Sequence, residues 1–270
     1  MSLQAIKLND HIGTEVRTSV DALLTLAMAQ QVRELLVQRG VLVFRKLALS
    51  DAQQLQFSKL MGTLREEGEK GIYKVTLDRN SNARADYLKG SWLWHIDGTH
   101  DEVPVFASLL SARKLSETGG QTEFANSYIA YESLPQSMKD RIAGFRVVHS
   151  VEVSMLNAGI EPKPEYVAEW RRLPDKTHNL VWTHKSGRKS LVIGCHASHI
   201  EGMDKAEGQE LLKELVTWTT QPKFIYRHEW TLGDMLIWDN TGVLHRAEPY
   251  PLDSGRMMHR TTLMGEEAFA

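Results

Sequence analysis

In SWLWHIDGTH, residues 91–100, an imidazole and a carboxylate stand two positions apart, at His95 and Asp97. In an extended strand residues i and i+2 point to one face, so the pair can present a nitrogen and an oxygen to a single cation. The same alternation puts Leu93 beside them and sends Trp92, Trp94 and Ile96 to the opposite, core-facing side. Two readings stand at this point: polar residues satisfied within a core strand, or part of a metal site. His199 and Glu201 form a pair of similar shape, so the short motif decides nothing alone. A second histidine would complete a 2-His-1-carboxylate set, which leaves coordination positions open on iron(II).

The C-terminal region supplies further chemistry. His245 follows the strand-like run DMLIWD, and a turn containing Pro and Gly leads into RMMHRTTL. Alternation there places Arg256, Met258, Arg260 and Thr262 on one face. An unpaired buried charge is costly. The face is therefore either an edge with its arginines in water or a site where a guanidinium fork receives a carboxylate.

The elements that must hold these residues are short. Residues 21–39 carry apolar positions at helical spacing and stop at Gly40; VLVF follows as a buried strand, and Ser50 with Gln53 opens a second helix ending near Gly62. From Ile72 the runs IYKVTL, SWLWHID, FASLLSA, QTEFA, FRVVHSVE, LVWTH, KSLVIG, KFIYRHEW, DMLIWD and RMMHRTTLMG, punctuated by Gly and Asp, read as strands of a sandwich or barrel. Two helices interrupt them, one from Tyr128 to Ile142 broken at Pro135 and one from Asp204 to Thr219. Residues 79–90 and 153–179 read as irregular loops able to cover a site.

Composition narrows the classes. A chain of 270 residues with 42% hydrophobic and 24% charged residues can bury a sizeable core and is not disordered. Its net charge of -2 offers no basic face to a phosphate backbone, which argues against nucleic acid as a partner. The lone Cys195 forms no internal disulfide and fits a reducing, cytoplasmic compartment; a small buried residue is the expectation for it. No apolar run suits a signal peptide or a membrane span.

Taken in order, WHIDGTH, GGQTEF, GRKSLVIGCHASHIEGM, YRHEWTLGDMLIWDN and LHRAEPY followed by RMMHRTTL resemble the taurine / 2,4-dichlorophenoxyacetate dioxygenase family of iron(II)- and 2-oxoglutarate-dependent oxygenases, and most of all its dichlorophenoxyacetate branch. The resemblance runs from about Leu36 to about Gly265. It implies a mostly β fold with flanking helices around a double-stranded β-helix, or jelly-roll, core. It also implies one catalytic domain over residues 1–270, with a helical N-terminal layer to about residue 65 and the jelly roll beyond. By position it assigns iron to His95, Asp97 and His245. The cosubstrate 2-oxoglutarate falls to Thr122 and Arg256, with Trp238 beside it, and Arg260 to the substrate's anionic group or the cosubstrate's inner carboxylate; Gly98 and His100, just past the ligand pair, are further substrate-facing candidates. Gly98 is expected to leave room beside the metal, and His196 and His199 to be structural. The implied reaction consumes O2 and 2-oxoglutarate, releases succinate and CO2, and hydroxylates a small anionic organic substrate such as an aryloxyalkanoate, breaking it where the new hydroxyl meets an ether oxygen. A sulfonate or sulfate ester is the alternative substrate; a zinc hydrolase or a non-catalytic binding protein on the same roll are the rival functions. Family members are often dimers or tetramers, so a homo-oligomer is expected.

Overall fold

The computed structural model describes residues 3–82 and 85–269. Residues 83 and 84, inside the stretch read as a loop, lie outside the described residues, as do residues 1, 2 and 270. A large sheet runs in the order Gln4–Lys7, Thr14–Arg17, Val41–Phe44, Met235–Asp239, Ala107–Lys114, Met257–Leu263, Tyr73–Val75. Opposite it lies a small sheet in which Thr122–Asn126 is flanked by Ile225–His228 and Val243–Ala247. Two further sheets join Ala197–Ile200, Arg146–His149 and Lys176–Asn179, and pair Val181–Thr183 with Lys189–Leu191. Mixed helices and strands with helices flanking a central sheet match the expected jelly-roll core.

Three apolar layers follow from strand alternation. Outside the large sheet, Val32, Leu36 and Phe57 of the helices Leu26–Arg39 and Asp51–Met61 pack on Leu42, Phe44, Leu109 and Ile237. Between the two sheets, Val41, Val43, Leu110, Leu236, Trp238 and Met258 meet Phe124 and Val243. Beyond the small sheet, Ala125 and Leu244 pack with Leu211 and Leu215 of the helix Lys205–Thr219. Neighbouring residues such as Phe124 and Ala125 thus serve opposite cores, and the inner face of the roll is where side chains from both sheets converge.

The capping box is present: the Ser50 side chain accepts from the Gln53 amide while the Gln53 side chain accepts from the Ser50 amide. Asp204 caps the later helix, and Pro135 separates Ser127–Glu132 from Gln136–Ile142. Other expectations change. The first helix is two, Val20–Leu23 and Leu26–Arg39, because the Thr25 hydroxyl accepts from the Met28 amide and starts a new helix. The N-terminal layer also contributes two strands to the large sheet, which its polar sequence hid. Residues 153–179 are not an irregular loop: they hold most of the helix Val151–Asn157, the helix Pro164–Trp170 and the strand Lys176–Asn179. Ser150 caps the first helix and Pro164 opens the second, so FRVVHSVE is a strand only as far as His149.

The most consequential change concerns SWLWHID. It is not a strand; a 3-10 helix, Ala85–Trp92, runs into it, and only His95 makes a β-bridge, to His245. Gly98 then turns the chain at φ +83°. The helix consumes Trp92, whose ring packs edge-on to Tyr250 instead of sharing a face with Trp94 and Ile96. Those two still pack on the core behind the small sheet.

Candidate active site

His245 sits within the strand Val243–Ala247, directly opposite Phe124, rather than after a strand. That register points it into the roll. His95 is brought alongside by a reciprocal pair of backbone hydrogen bonds: its amide donates to the His245 carbonyl at 3.1 Å and its carbonyl accepts from the His245 amide at 2.9 Å. The two rings lie 4.2 Å apart between centroids. His95 Nδ1 faces the Leu93 carbonyl at 2.7 Å, which places the ring proton on Nδ1 and leaves Nε2 with a free lone pair.

Asp97 completes the group. Its Oδ1 is 3.7 Å from His95 Nε2 and its Oδ2 is 3.7 Å from His245 Nε2. One donor atom from each of the three residues lies within 4.8 Å of the others, a spacing that one ion can bridge. Burial would raise the Asp97 carboxyl, but His245, Arg260, His95 and Arg65 together hold it down at about 2. Burial, aided by the neighbouring His95, pushes His245 down to about 3. Near neutrality the first is a carboxylate and the second a neutral imidazole, the protonation states a metal requires. Two imidazoles and one carboxylate on one side suit a divalent ion such as iron(II), with coordination positions left open.

Asn240, which the sequence reading did not single out, anchors this arrangement. Fully buried at the end of the strand Met235–Asp239, it accepts from the Asp97 amide at 2.8 Å and donates to the Asp97 carbonyl at 2.7 Å and to the Val105 carbonyl at 3.2 Å. One side-chain amide therefore pairs with Asp97 as a neighbouring strand would. The cue in the sequence was an Asn closing IWDN, indistinguishable there from a turn residue. Gly98 belongs to the same turn. A Cβ there would lie 3.0 Å from the Val105 amide nitrogen at a positive φ, so the glycine is demanded by the backbone and not by the need for pocket space.

The other predicted residues divide between two ends. Thr122 is on the face of its strand that carries Phe124, about 7 Å further along, and its hydroxyl oxygen accepts from Trp230 Nε1 at 3.0 Å, leaving its proton to donate. Arg256 is 3% exposed, donates to the Gly120 carbonyl at 3.1 Å and lies over the Tyr250 ring. Among the described residues no carboxylate reaches it, and burial lowers its pKa. Gly120 is necessary here: a Cβ would stand 2.8 Å from Arg256 Nε. A cavity of about 160 Å³ lined by Gly119, Gly120, Gln121, Trp230 and Arg256 adjoins this end. Trp238 packs 4.9 Å from His245, ring to ring, and its buried Nε1 has no partner among the described residues.

Arg260 lies at the other end. Its Nη1 is 3.4 Å from Asp97 Oδ2, its Nη2 is 3.3 Å from Glu67 Oε2, and its buried Nε has no partner among the described residues. With Asp97, Gly98 and His100 it borders a cavity of about 680 Å³ whose walls include Tyr73, Tyr87 and Trp170. A smaller pocket of about 250 Å³ on the same loop is lined by His95, Ser154, Met155 and Cys195.

The remaining candidates are structural. His196 is buried with its Nδ1 2.8 Å from that of His149. Glu201 pairs with Arg146, and His199 contacts the Ser198 hydroxyl. Cys195 is only partly covered, 3.3 Å from the Ser154 hydroxyl, and burial raises its thiol pKa, which disfavours a thiolate nucleophile.

Comparison with known proteins agrees with this geometry. Residues 4–262 match the family described as taurine catabolism dioxygenase TauD, TfdA family. An alpha-ketoglutarate-dependent 2,4-dichlorophenoxyacetate dioxygenase of Burkholderia sp. (strain RASC) is 36% identical over 94% of this chain and 91% of its own length. An alkylsulfatase of Acinetobacter baylyi (strain ATCC 33305 / BD413 / ADP1) is 30% identical over 98% of this chain and 86% of its own. The crystal structure of AAD-2 in complex with Mn(II) and N-oxalylglycine superimposes with a TM-score of 0.87, at 33% identity and over 100% of both chains.

Proposed function

From the premise that the chain belongs to the taurine catabolism dioxygenase TauD, TfdA family, we propose that its substrate is an aryloxyalkanoate and assign its residues accordingly. The protein is an iron(II)- and 2-oxoglutarate-dependent dioxygenase acting on a small anionic organic molecule. His95, Asp97 and His245 would hold the metal, which when bound supplies O2 activation coupled to conversion of 2-oxoglutarate to succinate and CO2.

The observation that carries this assignment is the placement of two unlike arginines on either side of the three ligands. Arg256, buried without a carboxylate, is matched to the far carboxylate of 2-oxoglutarate, with the Thr122 hydroxyl as a second donor. Trp238 walls that pocket. Arg260 faces the larger cavity and takes the substrate anion, with Gly98 and His100 on the same wall. Tyr73, Tyr87 and Trp170 supply flat surfaces for an aryl group. Covering these groups from water limits turnover without substrate. Hydroxylation at the carbon bearing the ether oxygen would let the product fall apart to a phenol and glyoxylate.

A sulfate ester is the second reading, favoured by the apolar Leu88, Val151, Met155 and Leu173 in the same cavity. The reading also takes residues 1–270 as one catalytic domain in a dimer or tetramer, as in the family, without nucleic acid. Among the described residues no helix is long and apolar enough to cross a membrane; the lone Cys195 supports a cytoplasmic location. O2-dependent succinate release with phenoxyacetate, taurine and hexyl sulfate tests the substrate. Release with phenoxyacetate above the other two supports the reading, and release with hexyl sulfate alone replaces it.

A further inference from the structure

Around the substrate cavity the charges alternate along a chain of five side chains. Asp101 Oδ2 is 2.6 Å from Arg65 Nη1, Arg65 Nε is 3.1 Å from Glu67 Oε1, Glu67 Oε2 is 3.3 Å from Arg260 Nη2, and Arg260 Nη1 is 3.4 Å from Asp97 Oδ2. Three carboxylates face two guanidiniums along this chain, and one of the three, Asp97, would also serve the metal. An anion entering this cavity therefore meets a site whose cations are already spoken for.

The contacts are unequal. Arg65 and Asp101 meet at the distance of a good charge-assisted hydrogen bond. Both contacts of Arg260 are longer, and its buried Nε is unpaired among the described residues. Glu67, by contrast, keeps Arg65 and the Thr262 hydroxyl, which donates to Oε2 at 3.1 Å, if Arg260 is taken from it. Separating Glu67 from Arg260 thus leaves neither carboxylate oxygen without a donor. The two links of Arg260 are the longest in the chain, and the one to Glu67 is the one that a substrate anion would have to open.

We propose that Glu67 is a specificity-determining residue, an internal counter-ion that occupies Arg260 in the free protein and must yield it to the substrate's anionic group. The inference rests on the assignment of Arg260 to the substrate anion. Glu67 raises the threshold for binding, so that only an anion able to engage both the free Nε and the released Nη2 of Arg260 gains more than it displaces. Singly charged fragments that offer one oxygen are disfavoured, and a forked carboxylate or sulfate headgroup is selected.

The test compares wild type with Glu67→Gln, which keeps the size and one acceptor oxygen but removes the charge, and with Glu67→Asp, which keeps the charge. Each protein is loaded with Mn(II) and 2-oxoglutarate in the absence of O2 and titrated calorimetrically with phenoxyacetate and with neutral phenoxyacetamide. Removing one carboxylate several ångströms from the anion, at the effective dielectric of a half-buried site, is expected to tighten phenoxyacetate binding roughly tenfold or more in the Gln variant. Phenoxyacetamide binding is expected to be unchanged, and the Asp variant to stay near wild type. Equal or weaker phenoxyacetate binding by the Gln variant, an equal gain for the amide, or no binding to either protein would overturn the role given to Glu67. The visible band formed anaerobically with iron(II) and 2-oxoglutarate is recorded on the same proteins. Its absence from wild type would overturn the dioxygenase assignment separately, whatever the ratio of phenoxyacetate affinities.

Discussion

Arg256 and Arg260 lie four residues apart, just before and within the strand Met257–Leu263, yet they inhabit different electrostatic worlds. Arg256 is sealed between Gly120 and Tyr250 with no counter-ion among the described residues, while Arg260 is suspended between two carboxylates at the wall of a wide cavity. A buried cation without a partner is destabilising, so the first environment is built around a ligand that every turnover supplies. The second is set by Arg65 and Glu67 outside regular elements, by Tyr73 in an edge strand, and by Tyr87 and Trp170 on two separate short helices. Under the proposed assignment, Thr122 and Trp238 at the cosubstrate end come from paired strands and Arg256, Gly120 and Tyr250 from the turns beside them. Strands carrying Arg260 and Tyr73 and helices carrying Tyr87 and Trp170 line the end that must suit one substrate.

The largest test of that division removes what both ends share. His95→Ala should abolish succinate release and the visible iron(II)/2-oxoglutarate band while circular dichroism stays that of a folded protein; activity retained in this variant would take His95 out of the metal group. Next, Arg256→Ala should raise the KM for 2-oxoglutarate about 10- to 100-fold, the loss expected for one or more hydrogen bonds to a charged partner, with a smaller change in substrate KM. An unchanged 2-oxoglutarate KM would erase the distinction between the two arginines. Asn240→Ala should weaken Mn(II) affinity by about tenfold to a hundredfold through misplacement of Asp97, measurable by electron paramagnetic resonance. Wild-type affinity would show that the turn at Gly98 holds Asp97 unaided.

The smallest effect concerns pH, and it probes the scaffold behind the metal loop. His149 and His196 are buried against each other, and burial depresses both, His149 to about 3 from an ordinary 6.5. Because the unfolded chain takes up protons that the folded chain refuses, stability is expected to fall as pH drops below 6.5, and this contribution to flatten below about 3. Urea midpoints measured from pH 7.5 to 4.5 should fall less steeply in His149→Phe than in wild type. Parallel slopes would exclude His149 as the source.

Legibility followed the same division. The helix Asp51–Met61, its capping box and the strands Ala107–Lys114 and Met235–Asp239 were readable because local propensity and burial agree there. The ordered motifs marked His95, Asp97 and His245 before any geometry was seen. The stretch 91–97 was misread as a strand because a 3-10 turn and one bridge satisfy its aromatic residues as well as alternation does. The helices Val151–Asn157 and Pro164–Trp170 escaped notice because each is only seven residues long and its apolar Val151, Met155 or Trp170 borders a cavity, which leaves too short a run for an amphipathic pattern. Glu67 and Asn240 carried no readable signal, since a carboxylate and a carboxamide acquire meaning only from what they face.

By itself the sequence determined the donor chemistry: two imidazoles, a carboxylate, a threonine and two arginines, together with the strand periodicity that aims His245 and Thr122 inward. Those properties belong to side-chain type and to neighbours along the chain. Only the tertiary structure decided that His95 bridges His245 across 150 residues, that Asn240 pins Asp97, and that Glu67 stands against Arg260. Such pairings depend on sheet register and on the path of turns, which are set by packing between distant segments and leave no local trace.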